Sequence, residues 1–207
     1  MERANEVLEF WFGRGPWDAA RLAERSRFWF GAGDSPEAIA ARDALIRAQL
    51  EPMLERAARG EFATWAASPK RRLALIILFD QVPRNAYRGT AAAFAFDREA
   101  LALSLEGMQL AADGALDPAE RLFFYLPLEH AESMEAQDAA VAAMERLLAE
   151  APAEFKGFCE GTLAYARQHR EVIAKFGRYP YRNEVLGRES TTAELEWLAA
   201  QEDRFGQ

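Results

Sequence analysis

Residues that mark specialised chemistry are scarce in this chain. It has one cysteine, Cys159, which excludes an internal disulfide. Cys159 falls on an apolar helical stripe and reads as a small buried hydrophobe rather than a nucleophile. Histidine occurs twice, as His130 and His169. The apolar run Leu73-Ala-Leu-Ile-Ile-Leu-Phe79 is far too short to cross a bilayer. The start Met1-Glu-Arg-Ala-Asn-Glu6 lacks the basic head and long apolar stretch of a secretory signal, so a cytoplasmic location is expected. Positive charge is in deficit too: 25 Lys and Arg against 33 Asp and Glu leave a net charge of −8, with no basic stripe. That balance opposes binding to nucleic acid or to an anionic membrane.

Catalytic signatures are also missing. There is no His-Glu-x-x-His zinc motif, no Gly-x-Ser-x-Gly elbow, no phosphate-cradling glycine loop and no dinucleotide fingerprint, so no cofactor is implied. Glu129-His130-Ala131-Glu132 lacks the Glu-x-x-His spacing of di-iron bundles, and no metal site is expected.

Helix punctuation is abundant. Half the residues are hydrophobic and 12% aromatic, which excludes disorder and suits one all-α domain over 1–207. The spacing predicts a short helix through Val7–Phe12, a second over 18–30, and a long third opened by Asp34-Ser-Pro36. Ser68-Pro69 opens a buried helix over 69–81, ended because Pro83 disfavours helical geometry at Val82. Further helices are expected over 97–113, 117–126, 128–150 and 152–176, with Asp117-Pro-Ala-Glu120 and Thr191-Thr-Ala-Glu194 as capping boxes. Short connections make this an antiparallel helical array, which gathers the segments 80–97, 126–132 and 169–183 at one end.

Polar residues concentrate at that end. Asp80 terminates an apolar helix at its partially negative pole, so a cation should accompany it, with Arg84 and Arg88 nearest. His130 and Gln137 share a stripe with Met134, Val141, Met144 and Leu148, and His169 shares one with Cys159, Ala166 and Ile173. Counted from Ala151, the two histidines differ in height by roughly 4.5 Å of helix rise, which makes them near neighbours. Arg178-Tyr-Pro-Tyr-Arg-Asn183 echoes Val82-Pro-Arg-Asn85. The candidate constellation is therefore Asp80, Gln81, Arg84, Asn85, Arg88, His130, Glu132, Gln137, His169, Arg178, Arg182 and Asn183.

Val7-Leu-Glu-Phe-Trp-Phe-Gly13, Asp80 through Gly89, Leu126-Pro-Leu-Glu-His-Ala-Glu132 with Gln137, and His169 through Arg188 resemble the bacterial domain of unknown function 924. The resemblance implies an all-α fold similar to tetratricopeptide-repeat-like superhelices and carries no established activity. Two positions depart from the family pattern: Val82 stands where phenylalanine is usual, and Ala131 where serine is usual, which weakens any role for a hydroxyl nucleophile there.

Two function classes follow. The first is a binding module whose arginines, planar donors suited to carboxylate or phosphate, hold a small anionic ligand or a peptide carboxylate. The second is a small hydrolase using a histidine and Glu132 as acid and base. In the competing structural account each arginine pairs with a local acid such as Asp80, Glu132 or Glu184.

Overall fold

The structure, a computed structural model, describes residues 2–31 and 33–200. Every regular element among the described residues is helical. The α-helices are α1 (Glu2–Phe12), α2 (Ala19–Phe30), α3 (Pro36–Ala58), α4 (Pro69–Ile76), α5 (Val82–Ala86), α6 (Asp97–Gln109), α7 (Pro118–His130), α8 (Met134–Glu150), α9 (Lys156–Phe176) and α10 (Thr192–Ala200).

Most starts sit where the caps predicted. Asp18 accepts the amide of Arg21 at 2.8 Å at the head of α2, and Ser35 with Pro36 opens α3. Asp117 and Glu120 form a capping box before α7, and Thr191 with Glu194 closes another at α10. Gly31 and Gly177 end α2 and α9 in the left-handed conformation, with φ of 57° and 70°.

Two helices run past a proline that was expected to stop them. The 69–81 helix does not end at Asp80: Ile77–Gln81 forms a π turn that leads directly into α5. Pro83 offers no N–H to the carbonyl of Phe79, and the chain re-pairs by one residue, with the Val82 N–H reaching Ile77 O. Val82 keeps right-handed helical angles, φ −61° and ψ −47°, and is fully buried. Asp80 therefore lies inside a continuous helix rather than at a negative pole.

The 117–126 helix likewise continues through Pro127 to His130, and α8 starts at Met134 rather than 128. His130 thus belongs to the end of α7 and not to the stripe of α8. Ser133 caps α8, and the 131–133 bend between them replaces the proline as the turn. The 97–113 helix stops at Gln109, and the 152–176 helix begins at Lys156 after a 3-10 turn.

Packing fixes the directions of the helices around the site. Trp29 of α2 has its ring 4.7 Å from Phe123, early in α7, and 6.4 Å from Phe158, early in α9. At the other end of the same two helices the rings of His130 and His169 are 6.5 Å apart. So α7 and α9 run in the same direction, with α8 returning between them. The aromatic N-terminus is core as expected: Trp11 and Phe12 are buried against Phe123 at 5.6 and 5.5 Å.

Candidate functional site

A cleft of about 670 Å³ opens between the α2–α3 corner, the face of α9, and the ends of α5 and α7. Its polar end carries Gln81, Arg84, Asn85, Arg88, Glu129, His130, Tyr165, His169, Tyr181 and Arg182. Its other walls carry Trp29, Phe30, Ile39, Leu122, Leu126 and Phe158, with Ser26, Arg42 and Thr162 as polar residues among them. That mixture and volume are typical of a small-molecule site.

The π turn sets Asp80 beneath the polar end, with no exposed surface. Gln81 Nε2 donates to its Oδ2 at 2.6 Å, Arg84 lies 3.4 Å from Oδ1, and His130 Nδ1 is 2.7 Å from Oδ1. Burial alone would raise this carboxyl, but the attraction of His130 and Arg84, with hydrogen bonds from His130 and Gln81, holds it below the ordinary aspartate value. Arg84 Nε also sits 3.1 Å from His130 Nδ1, yet one ring nitrogen cannot accept from Arg84 and donate to Asp80 at once. The shorter contact with a carboxylate assigns the proton to Nδ1 and leaves Nε2 as the acceptor. Burial and the Arg84 cation lower the His130 imidazole below its usual 6.5, so it is neutral at physiological pH.

Glu129, beside it in sequence, has the opposite fate. It is 1% exposed, and burial, reinforced by the Asp80 charge, pushes its carboxyl up to about 8. Its Oε1 has no hydrogen-bond partner within the protein, and its Oε2 is 3.5 Å from His169 Nδ1. That Nδ1 donates to Tyr165 O at 3.0 Å, and burial drops the His169 imidazole to about 3.

Asp97 joins the two Arg-Asn segments. Its Oδ1 accepts from Arg84 at 2.8 Å and its Oδ2 from Arg182 at 3.3 Å, while both guanidinium groups lie over the ring of Phe94, at 5.4 and 4.5 Å. Arg182 Nε is buried with no acceptor. Arg88 is held by Asp43 at 2.6 and 3.1 Å. The arginines of the cleft do pair with acids: Asp80 takes Arg84 as expected, but the other partners are Asp97 and Asp43 rather than Glu132 or Glu184.

The family model for bacterial proteins of unknown function, DUF924, matches residues 7–202. The chain belongs to this family. It is also similar to the solved structure of a protein of unknown function from Agrobacterium tumefaciens, with 34% identity, a TM-score of 0.70, and coverage of 89% of this chain and all of that one. No curated protein matches it.

Of the twelve candidates, this DUF924 member gathers Gln81, Arg84, Asn85, Arg88, His130, His169 and Arg182 around the cleft, with Asp80 directly behind. Four sit elsewhere. Gln137 is buried behind α7, where its Nε2 lies 2.7 and 2.9 Å from the Glu129 and Ala131 carbonyls and 2.8 Å from Tyr179 Oη. It satisfies the end of α7 and so positions Glu129 and His130. Glu132 is taken by Arg188 at 2.6 and 3.0 Å and by the Tyr179 amide at 2.8 Å, which removes it as an acid or base in the cleft. Arg178 pairs with Glu194 at 2.6 and 2.8 Å, and Asn183 donates to Ser190 at 3.0 Å.

Glu129, Tyr165 and Tyr181 were missed, as was Asp97 in its bridging role. One signal was present: Gly157, Gly161, Tyr165 and His169 recur every four residues, which marks one face of α9. Among the described residues no cluster of three His, Cys, Asp or Glu is arranged to hold a metal ion, and no helix is long and apolar enough to cross a membrane.

Proposed function

We propose that this protein is a binding module that holds a small organic anion in the cleft, with the anionic group at the Glu129, Arg84 and Arg182 end. The observation that carries this reading is the buried Glu129 Oε1, which has no partner within the protein. At neutral pH the raised value of this carboxyl makes it a hydrogen-bond donor. Arg182 Nε is a second buried donor without an acceptor. Two such donors at the His130 end of the cleft call for an acceptor-only group, and a carboxylate supplies one; a third, Arg42 Nε, lies in the α3 wall. The formal charges of Arg84, Arg182, Asp80 and Asp97 cancel, so affinity comes from directed hydrogen bonds more than from net charge. Calorimetric titration with sodium benzoate and inorganic phosphate at pH 6.5 tests the reading. Binding of either, weakened tenfold or more in Arg182→Gln, supports it, and no heat from either overturns it.

The contact between Asp80 and His130 favours a second reading, a small hydrolase. His130 Nε2 would take a proton from water as the oxygen adds to an ester carbonyl. Collapse of that adduct would break the bond to the alkoxide, which recovers a proton from the imidazolium. Glu129, rather than Glu132, would donate a hydrogen bond to the oxyanion. Turnover of p-nitrophenyl butyrate that disappears in His130→Gln supports this reading, and a rate no greater than in buffer rejects it.

A further inference from the structure

Two of the helices that line the cleft, α7 and α9, change character in the same direction. Along α7 the lining residues run Leu122, Leu126, then Glu129 and His130. Along α9 they run Gly157, Phe158, Gly161 and Thr162, then Tyr165 and His169. Because α7 and α9 are parallel, the two gradients coincide: along these two helices the lining is apolar toward Trp29 and polar toward His130, while Ser26 of α2 and Arg42 of α3 add polar groups to the opposite wall. From Gly157 to His169 is twelve residues, about 18 Å of helix rise.

The two glycines stand out in this wall. Glycine is the poorest helix former after proline, yet both lie inside α9 at ordinary helical angles. A Cβ built at either position meets no atom within 4 Å, so close packing inside the protein does not account for them. The room they leave belongs to the cleft. Across it, Phe30 keeps half its surface exposed although it borders Trp29 and Phe123. An exposed phenylalanine facing a smooth helix face suits an apolar ligand between them.

We propose that the ligand is a monocarboxylate with an extended apolar tail, its head at Glu129 and Arg182 and its tail along the Gly157–Gly161 face toward Phe30. This rests on the anion-binding reading above and adds the tail. The polarity gradient gives the orientation, and the glycines set how far the tail can run. A larger side chain at 161 would sit in the path of the tail beyond Tyr165, whereas a ligand without a tail would need only the head group contacts.

The test is calorimetric titration of the full chain with sodium acetate, sodium octanoate and 1-octanol. Octanoate is expected to bind at least tenfold more tightly than acetate or octanol. Gly161→Leu and Gly157→Leu are each expected to erase that preference while the melting temperature without ligand stays at or above that of the parent, since leucine favours helix over glycine. Should one variant fold poorly, the other gives the same readout at a neighbouring turn. Octanoate no tighter than acetate, or a preference that survives both substitutions, overturns the tail and leaves the anion-binding reading standing. Octanol matching octanoate, or no binding by either carboxylate, overturns the proposal together with that reading.

Discussion

His130 Nδ1 lies 2.7 Å from Oδ1 of Asp80, fifty residues away in sequence, and this contact ties the π turn to the end of α7. It fixes the tautomer of the imidazole and turns Nε2 to the acceptor role. Both partners depend on a helix that a proline failed to break.

Asp80→Asn turns one of the two oxygens that accept from His130 and Gln81 into an amide donor, removes the charge, and leaves Arg84 with Asp97 as its remaining carboxylate partner. A loss of about 1–3 kcal/mol is expected from a buried charged group stripped of partners. Urea unfolding measures it, and a midpoint equal to that of the parent shows the contact to be idle.

Arg84→Lys keeps the charge but loses the planar fork that reaches the Ala93 carbonyl and Asp97 together. Lysine can meet one of these at a time. The protein without ligand is expected to lose about 1–3 kcal/mol, because buried acceptors are left without donors. An unchanged melting curve shows that Asp97 is held well enough by Arg182 alone.

Glu129 makes stability depend on pH. Its carboxyl ionises near 4.5 in the unfolded chain and near 8 in the folded one. The contribution of this group is full below 4.5, where both states are protonated, and is lost progressively as pH rises toward 8, where only the unfolded state ionises freely. Glu129→Gln removes that loss. It is expected to melt about 8–16 °C above the parent at pH 8, equivalent to ~4 kcal/mol in a chain of this size, and level with it at pH 4.5. Equal melting at both pH values shows that the carboxyl is hydrated and ionised in the native state.

Anion affinity is expected to follow the same group. Glu129 is faced by Asp80 from the π turn, Arg84 from α5, His130 on its own helix, His169 and Tyr165 from α9, and Tyr179, Tyr181 and Arg182 from the following segment. Glu129 titrates close to pH 8, while burial pushes Tyr179 and Tyr181 up and the two histidines down. Benzoate affinity is therefore expected to fall as pH rises from 7 to 9, when a donor becomes a repelling carboxylate. Titrations at pH 6.5 and 9 check this, and Glu129→Gln is expected to level the two. A parent affinity that does not change with pH removes Glu129 from the binding site.

The all-α class and most helix starts were legible in the sequence because caps are local: an Asp, Ser or Thr with a following proline or glutamate satisfies amides within one turn. The clustering of 80–88, 130, 169 and 182 was legible as well, since short connections impose antiparallel neighbours. What sequence alone misplaced were the two prolines. Their cost is local, but Val82 and Leu128 are fully buried, and that packing keeps the helix going past Pro83 and Pro127. Only tertiary structure could divide the arginines. Arg178 and Arg182 are four residues apart with the same chemistry, yet Glu194 claims one and Asp97 the other, and such pairings are set by which distant carboxylates packing brings near. Glu129 shows the same limit most sharply: its neighbours in sequence are ordinary, and its raised pKa and unpartnered oxygen come from burial beside Asp80, a charge placed there by the π turn of another helix.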